Sequence, residues 1–273
     1  MSDQKEKFLI DMTQDENVYL MGFLWADGYI SKRYTISLEI NSLDFEYIRP
    51  ILNKYGFTKF TARQRYKQDK KFGNMQTRFC ISNKSLNDYM QKFGYRDKST
   101  ENPSKILDII PKDKLYLWWR GFFDGDGCFY CNGAERVFAI WGSINQDWKS
   151  IISLLNDIEI QSYRFKQYTR NNGKHCSSCI SIGIRDDIKK LGEYIYQNRM
   201  DIGFARKYDK YLTCIQTPTP IFKKKRSTKK GIYFSIWTGK WICRKVINKK
   251  RVVIGSFDDY QLACDAYDEY KPN

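Results

Sequence analysis

One nine-residue pattern occurs twice in the sequence, as Leu20-Met21-Gly22-Phe23-Leu24-Trp25-Ala26-Asp27-Gly28 and again as Trp119-Arg120-Gly121-Phe122-Phe123-Asp124-Gly125-Asp126-Gly127. Each copy is an apolar run with glycine at its third position, and each ends in an acid followed by glycine. Apolar runs of this kind are typical of helices, and a glycine is a common helix end. The recurrence predicts a duplicated domain in which each copy begins one half. One carboxylate from each half would then meet at a shared seam, where two carboxylates can hold a divalent metal ion.

The segments after the two motifs repeat one predicted order of elements: two strands, a helix, two strands and a helix. The first half is predicted to hold strands from residue 29 to 40, a helix at 42–55, strands at 59–68 and 76–82, and a helix at 84–93. The second half is predicted to hold strands within 128–143, a helix at 146–156, strands near 163–170 and 179–184, and a helix at 186–198. Thr13 and Glu16 are predicted to form a capping box before the first motif helix.

The predicted fold class is α/β, of the α+β kind, with two pseudo-symmetric αββαββα halves packed through their motif helices. The halves are expected at residues 1–110 and 111–216. Residues 217–230 contain two Thr-Pro pairs and a run of basic residues, a composition that predicts an extended basic linker. Residues 231–273 are predicted to form a three-stranded antiparallel sheet and a helix. The apolar face of that helix is expected to consist of Leu262, Ala263, Ala266, Tyr267 and Tyr270.

The charge of the chain indicates a polyanionic partner. The 273 residues carry 47 Lys and Arg against 31 Asp and Glu, a formal net charge of +16. A phosphate backbone is the commonest partner for such a charge, so double-stranded DNA is the predicted partner. No apolar run is long enough to span a membrane and no signal peptide is evident, which predicts an intracellular protein with no membrane contact. Eight cysteines, several in apolar runs as at Cys80, Cys214 and Cys264, are expected to be reduced core thiols.

The two acids that end the motifs are the predicted chemical centre. If the motif helices lie side by side, Gly22 and Gly121 allow close backbone approach, and Asp27 and Asp126 emerge together. Hydrolysis of a phosphodiester requires the charge on the attacking and leaving oxygens to be offset, which carboxylate-held Mg²⁺ achieves. The alternative is that each Asp-Gly pair only forms a helix-ending turn. The matching positions of the two copies favour the metal site.

These motifs resemble those of the LAGLIDADG homing endonucleases in their single-chain form, over about residues 8–216. The resemblance implies two αββαββα halves with the motif helices between them, and metal binding by Asp27 and Asp126 with help from the backbone carbonyls of Ala26 and Gly125. It also implies a basic residue near the end of each half that faces the active site. The matching positions are Lys98 and Lys207, which would polarise water or stabilise the charge of the phosphorane.

Two residues depart from the usual motif of that family. The first motif has Trp25 where an acid is usual, whereas the second keeps Asp124 in that place. The two halves are therefore expected to be unequal, with Asp124 orienting the helix interface. Arg120 stands where a small residue is usual, and it is expected at the edge of the seam.

The strands after each motif carry basic residues at alternating positions, and these residues share one face of a strand. Such a face fits the major groove of DNA, where Arg reads base edges and Lys holds phosphates. A solvated strand surface is the alternative. The predicted DNA contacts of the two sheets are Arg63, Arg65 and Lys67 in the first half and Arg164, Lys166, Tyr168 and Arg170 in the second.

The tail from about residue 231 to 270 resembles the AP2 DNA-binding domain, with Gly239-Lys240-Trp241 and the run from Lys249 to Phe257 as the matching segments. The resemblance implies that its sheet enters the major groove. Candidate contacts are Trp237, Trp241, Arg244, Lys245 and Arg251, with a core position as the alternative for Trp241. A basic appendage that holds only phosphates is the other interpretation of this tail.

Two CxxC pairs form a competing metal signal: Cys128 with Cys131, and Cys176 with Cys179 next to His175. Structural zinc at these four cysteines is possible, but their separation exceeds that of common zinc ribbons. The sequence therefore favours Mg²⁺ or Mn²⁺ at the paired acids over zinc.

The sequence as a whole predicts a monomeric, metal-dependent, site-specific double-strand DNA endonuclease. The LAGLIDADG resemblance implies a long asymmetric site, short 3′ overhangs and intron homing by a mobile genetic element. The alternative is a catalytically silent protein on the same scaffold, either an RNA-splicing maturase or a DNA-binding transcriptional regulator.

Overall fold

The computed structural model describes residues 7–31, 34–64, 75–132, 135–170, 175–197, 202–218, 225–247 and 250–271. Its first half contains α1 (Asp15–Asp27), β1 (Tyr29–Ile30), β2 (Thr35–Asn41), α2 (Ser42–Lys54), β3 (Thr61–Gln64), β4 (Met75–Ser82), α3 (Lys84–Lys92) and the short α4 (Ser104–Leu107). The strands form an antiparallel sheet in the order β1-β2-β4-β3.

The second half repeats this arrangement. It contains α5 (Leu115–Asp126), β5 (Gly127–Asn132), β6 (Glu135–Ser143), α6 (Lys149–Asp157), β7 (Arg164–Arg170), β8 (His175–Ile182), α7 (Arg185–Ile195) and α8 (Ala205–Gln216). Its sheet has the matching order β5-β6-β8-β7. The predicted α/β fold class, with two αββαββα halves joined through their motif helices, is confirmed.

Helices α1 and α5 carry the two motifs and pack directly against each other. A Cβ added to Gly22 would lie 2.0 Å from the backbone oxygen of Trp118, and one added to Gly121 would lie 2.0 Å from that of Tyr19. No side chain can be accommodated at such distances, so each glycine allows the opposite backbone to approach. The two motifs thus form the seam between the halves.

Each sheet covers its core with one face and leaves the other open. In the first sheet Leu38 pairs with Phe79, and both side chains are buried. In the second sheet Ile140 pairs with Ile180, and both are again buried. Alternation along the strands sends the neighbouring residues to the opposite face, where the predicted basic residues lie.

Several local predictions were wrong. Helix α1 begins at Asp15 after Gln14, and the Thr13 hydroxyl donates to Asp11 Oδ1 at 2.5 Å instead of capping the helix. The Asp11 carboxylate accepts from both the backbone N–H and the hydroxyl of Thr13, and these bonds hold Thr13 in the turn before the helix. Cys80 is exposed because its strand position places it on the outer face of the sheet, whereas Cys214 and Cys264 are buried as expected. All eight cysteines are free thiols.

The contacts divide the chain into two compact units, Met1–Tyr130 with Val137–Ile215, and Cys131–Arg136 with Gln216–Asn273. The second unit contains β9 (Ile232–Ser235), β10 (Lys240–Ile247), β11 (Lys250–Phe257) and α9 (Tyr260–Glu269), with the sheet order β11-β10-β9. Its core is formed by Ile232, Trp241, Cys243, Ala263 and Cys264.

One prediction for this second unit needs correction. Leu262 is 57% exposed and Cys264 takes its place in the core, because the buried face of α9 is rotated from the predicted one. Within the expected linker, Ser227, Thr228 and Lys229 are hydrogen-bonded to the Tyr260 hydroxyl, so this part is fixed on α9.

Over the described ranges, no helix combines the length and apolar character needed to cross a bilayer.

Candidate active site

The C-terminal ends of α1 and α5 bring the two motif acids to one place. A Cβ added to Gly125 would lie 2.3 Å from the Ala26 Cβ and 3.5 Å from the Asp27 carboxylate oxygen Oδ2. Asp27 therefore faces the end of the opposite motif helix, whose last residue is Asp126. The absence of a side chain at Gly125 is what permits this approach.

Two lysines bind the carbonyl groups at these helix ends. Lys98 Nζ donates to the carbonyl oxygens of Trp25 and Ala26, each at 2.6 Å. Lys207 Nζ donates to those of Phe123, Gly125 and Gly127 at 3.0, 3.3 and 2.7 Å. The last carbonyls of a helix lack partners within it and carry partial negative charge, so an ammonium group there is stabilising. The structure places both predicted lysines beside the acids.

The four charged groups influence one another's pKa values. Burial, followed by the nearby Asp27 carboxylate, raises the pKa of Asp126 to about 6. Removal of water also raises the pKa of Asp27, and the nearby Lys207 and Lys98 counteract this rise. The Asp27 side chain still has one side open to solvent. Burial lowers the pKa of both Lys98 and Lys207. Two carboxylates and two ammonium groups therefore form one electrostatic cluster that each half supplies equally.

A cavity of about 140 Å³ opens beside Asp126 and Lys98. Residues from both halves line it, including Trp25 and Ser99 from the first and Trp141 and Gln146 from the second. The cluster is consequently accessible from this side of the seam.

The third acid of the motifs, Asp124, has a different environment. It is buried, and its Oδ2 accepts hydrogen bonds from the Tyr19 hydroxyl at 2.9 Å and the Phe204 backbone N–H at 3.0 Å. Burial is the main reason that its pKa is raised to about 6. Asp124 thus joins the two motif helices and fixes the segment before Lys207, which agrees with its expected orienting role.

Arg120 was expected at the edge of the seam, but it is 1% exposed. Its guanidinium donates to the carbonyl oxygens of Ile195, Ile202 and Gln197 at 2.6, 2.9 and 3.3 Å. The long side chain crosses the core because these carbonyls, between α7 and α8, have no helical partners. Arg120 and Asp124 therefore hold the segment that leads to Lys207, and for Arg120 no sequence pattern indicated this role.

Each half also forms hydrogen bonds to the segment of the other half that carries Lys98 or Lys207, and the sequence analysis missed these contacts. Arg206 Nε and Nη2 each lie 2.6 Å from a carboxylate oxygen of Asp44 in α2. On the other side, the Asp147 backbone N–H donates to the Thr100 carbonyl at 2.9 Å, and Gln146 Nε2 donates to that of Lys98 at 3.3 Å. Only the charge pair could have been suspected from sequence, because amide and backbone contacts leave no pattern.

The outer faces of the two sheets carry the described members of the predicted DNA-contact set. Arg164, Lys166 and Tyr168 share the outer face of β7, with the Tyr168 ring 5.1 Å from that of Trp141. Arg63 is exposed on β3 and forms an ion pair with Glu39. Trp141 and Glu39 were not anticipated. Arg65, Lys67 and the side chain of Arg170 lie outside the described part of the structure.

The candidate contacts of the tail fall on different sides of its sheet. Trp237 is 61% exposed, Arg251 is exposed, and the Arg244 guanidinium lies 4.6 Å from the ring centroid of Tyr233 on the outer face. Trp241 is in the core, the alternative given for it, so it is withdrawn as a contact. Lys245 also needs correction, because its Nζ binds the Tyr270 carbonyl at 3.2 Å on the helix side.

The four cysteines of the CxxC pairs lie at different depths. Cys128 and Cys176 are exposed, Cys131 is half-buried and Cys179 is buried. Throughout the described ranges, no three His, Cys, Asp or Glu side chains gather as the ligands of one metal ion. Structural zinc at these cysteines stays a prediction.

The comparison with protein-family models gives no match, and neither does the comparison with curated proteins. Among solved structures, similarity extends over 77% of the chain to the homing endonuclease I-WcaI bound to its DNA recognition sequence, at 16% identity, 91% coverage of that chain and a TM-score of 0.48. The N-terminal LAGLIDADG domain of DUF199/WhiA matches 77% of the chain at 11% identity, with 94% of that domain covered and a TM-score of 0.42. Full-length DUF199/WhiA from Thermatoga maritima matches 77% at 15% identity, with 65% of that chain covered and a TM-score of 0.40. Similarity at these scores does not establish a shared function.

Proposed function

We propose that the protein is a metal-dependent, site-specific double-strand DNA endonuclease. The observation that carries this proposal is the cluster of Asp27, Asp126, Lys98 and Lys207, supplied equally by two repeated halves at the ends of packed helices. Two carboxylates held close together at partly desolvated helix ends repel each other and cost folding free energy, so a chain that forms such a pair has a use for it.

The residues fit a hard divalent cation such as Mg²⁺ or Mn²⁺. Asp27 and Asp126 offer carboxylate oxygens. Burial and then the Asp27 carboxylate raise the pKa of Asp126, and a cation would relieve the repulsion between the two carboxylates. The carbonyls of Ala26 and Gly125 are further oxygen donors, although each accepts a lysine hydrogen bond. When bound, the cation would offset negative charge on the attacking and leaving oxygens of a phosphodiester.

The chain's own groups supply the remaining functions. Lys98 and Lys207 are held by backbone carbonyls beside the acids, so their ammonium groups are oriented before a phosphate arrives. The basic outer faces of the sheets would hold the duplex on either side of the seam. Because both carboxylates come from one chain, a monomer suffices for the complete cluster.

Each half would contribute to cleavage of one strand of the DNA duplex. The asymmetric residues of the outer faces, such as Glu39 in one half and Trp141 in the other, make the expected site asymmetric. The tail would add affinity through its exposed Arg251 and Trp237.

The test is cleavage of a randomised duplex library with Mg²⁺, followed by sequencing of the ends. The wild-type protein is compared with Asp27→Asn, Asp126→Asn and a surface control, Asp113→Asn. We expect defined double-strand ends from the wild type and the control, and a loss of at least about a thousandfold in rate in each motif variant, since carboxylate-held metal is central to the chemistry. Cutting that persists in both motif variants would contradict the proposal.

One observation favours a second candidate, a DNA-binding regulator or RNA-splicing maturase without catalysis. The ammonium groups of Lys98 and Lys207 already place positive charge at the carbonyls of both helix ends. Titration with Mn²⁺, followed by its paramagnetic effect on water relaxation, distinguishes the two candidates. Mn²⁺ binding to the wild type that is lost in Asp126→Asn supports the nuclease. Binding of duplex DNA or RNA by a protein that binds no Mn²⁺ supports the catalytically silent protein.

A further inference from the structure

Among the described residues, the outer face of the first sheet contains one acidic side chain beside its basic ones. Glu39 on β2 is directly opposite Arg78 on β4, and Arg78 is opposite Thr61 on β3. Arg63 lies two residues further along β3, on the same face. A carboxylate on a surface that meets phosphates is repelled by them, so its presence requires an explanation.

Glu39 holds Arg63 in one defined orientation. Arg63 Nε lies 3.0 Å from Glu39 Oε1, and Nη2 lies 2.5 Å from Oε2. The side chain of Glu39 is only 19% exposed, whereas that of Arg63 is 52% exposed. The carboxylate is thus recessed in the sheet, and the guanidinium stands above it.

This side-on pairing leaves the outer edge of the guanidinium available. The hydrogens on Nη1 and the second hydrogen on Nη2 remain to donate, and guanidinium geometry places them in a parallel pair. Such a pair matches the O6 and N7 acceptors of guanine in the major groove. An arginine without a carboxylate partner would instead reach for the nearest phosphate.

We propose that Glu39 positions Arg63 to read one guanine in the bound duplex. The inference rests on the proposed function and makes it specific, because it assigns a base to one residue pair. Glu39 is a positioning residue, since it acts through Arg63. It also offsets charge that would bind phosphates without regard to sequence.

The second sheet has no pair like Glu39 and Arg63 among its described residues. Its outward residues Arg164 and Lys166 have no carboxylate partner in the described part of the chain. The outward positions of β6 hold Glu135, Val137, Ala139, Trp141 and Ser143, and within the described ranges Glu135 forms no ion pair with either basic residue. Arg164 is therefore free to hold phosphate, which makes it a matched control on an equivalent strand.

The experiment is selection of bound sequences from a randomised duplex library in EDTA, where binding is read without cleavage. The full chain is compared with Arg63→Lys, Glu39→Gln, Glu39→Ala and the control Arg164→Ala, each checked for an unchanged thermal midpoint. We expect a guanine preference of about 10- to 100-fold at one position in the wild type, as a bidentate pair provides. Arg63→Lys and Glu39→Ala should reduce this preference to below about threefold at that position only. Glu39→Gln should retain part of it, and Arg164→Ala should weaken binding to all sequences alike.

The outcomes separate the inference from the function on which it rests. A wild-type protein that selects no sequence contradicts site-specific binding itself. A selected site whose preferences survive in Arg63→Lys overturns the assignment of Arg63. Loss of the guanine in Arg63→Lys but not in Glu39→Ala overturns the role of Glu39, and loss of a cytosine in the Glu39 variants shows that Glu39 reads a base directly.

Discussion

Trp25 and Asp124 occupy equivalent positions in the two motifs but reach the opposite helix by different means. Asp124 accepts a hydrogen bond from Tyr19, the residue before the first motif. Trp25 packs on Trp118, the residue before the second motif, with ring centroids 6.3 Å apart. A polar pair on one side of the seam is therefore matched by an aromatic pair on the other.

The Tyr19 hydrogen bond is expected to contribute measurably to stability. In Tyr19→Phe, the buried Asp124 carboxylate loses a donor, so the free energy of unfolding should fall by about 1–3 kcal/mol. Urea denaturation in EDTA measures this change. Tyr29→Phe, at a side chain that is 63% exposed, is the control and should change stability very little. Equal stability of the two variants would show that Tyr19 is not needed to satisfy Asp124.

At the scale of the elements, the close contact between α1 and α5 depends on two glycines. Gly22→Ala or Gly121→Ala would place a methyl group 2.0 Å from a backbone oxygen, and no rotation of a side chain can relieve that contact. The helices must separate, so each variant should lose at least about 3 kcal/mol of stability. Chemical denaturation tests this prediction, with Ser153→Ala on the exposed side of α6 as the control. Native stability in Gly121→Ala would contradict the observed packing.

Lys98 and Lys207 have a structural role at the helix ends that is separate from the proposed catalysis. Lys207→Met removes the donor to three carbonyls and the positive charge beside three acids, so we expect a loss of about 2–4 kcal/mol, given the cost of unpaired buried groups. Lys98→Met should lose less, because Lys98 is less buried and binds two carbonyls. Thermal unfolding in EDTA compares both with Lys112→Met at the surface. A larger loss in Lys98→Met would reverse the assigned order.

Sequence patterns located most elements but missed α4 and α8, and they did not show the contacts between elements. Periodicity and the Asp-Gly ends located the motif helices and both sheets, because those features repeat along the chain. Arg120 and Glu39 had no such signal, since their partners are distant in sequence and, for Arg120, are backbone carbonyls. The failure at Thr13 has the opposite cause, in that a nearby carboxylate competed with the local capping pattern.

At the scale of the whole molecule, the repeat explains why the site lies at the seam. A duplicated chain has one place where equivalent residues of both halves meet, and here it contains Asp27 with Asp126 and Lys98 with Lys207. The two halves differ beside this cluster, at Trp25 and Asp124, and on the outer faces of the sheets, at Glu39 and Trp141. Equivalence of the four charged groups suits the two similar reactions of the proposed nuclease, and divergence on the outer faces suits recognition of an asymmetric duplex.

The two units are expected to contribute differently to DNA binding and cleavage. The chain has a net charge of +16, and the tail has a core of its own. A chain ending at residue 216 keeps the seam, both sheets and the acids. It should still cut the selected site, with affinity weaker by about a hundredfold, because the tail raises the effective concentration of the core on DNA. Its slope of log Kd against log salt should also be smaller, since fewer phosphates are contacted.

Fluorescence anisotropy over a range of salt concentrations measures both quantities, and cleavage at raised protein concentration tests the core. Arg251→Ala in the full chain is the matched control, because it removes one exposed charge of the tail while leaving its core intact. It should lower the salt slope by about one and reduce affinity less than the truncation does. Unchanged affinity of the truncated chain would assign all binding to the sheets of the two halves. Complete loss of binding and cutting would place recognition in the tail and favour a regulator over a nuclease.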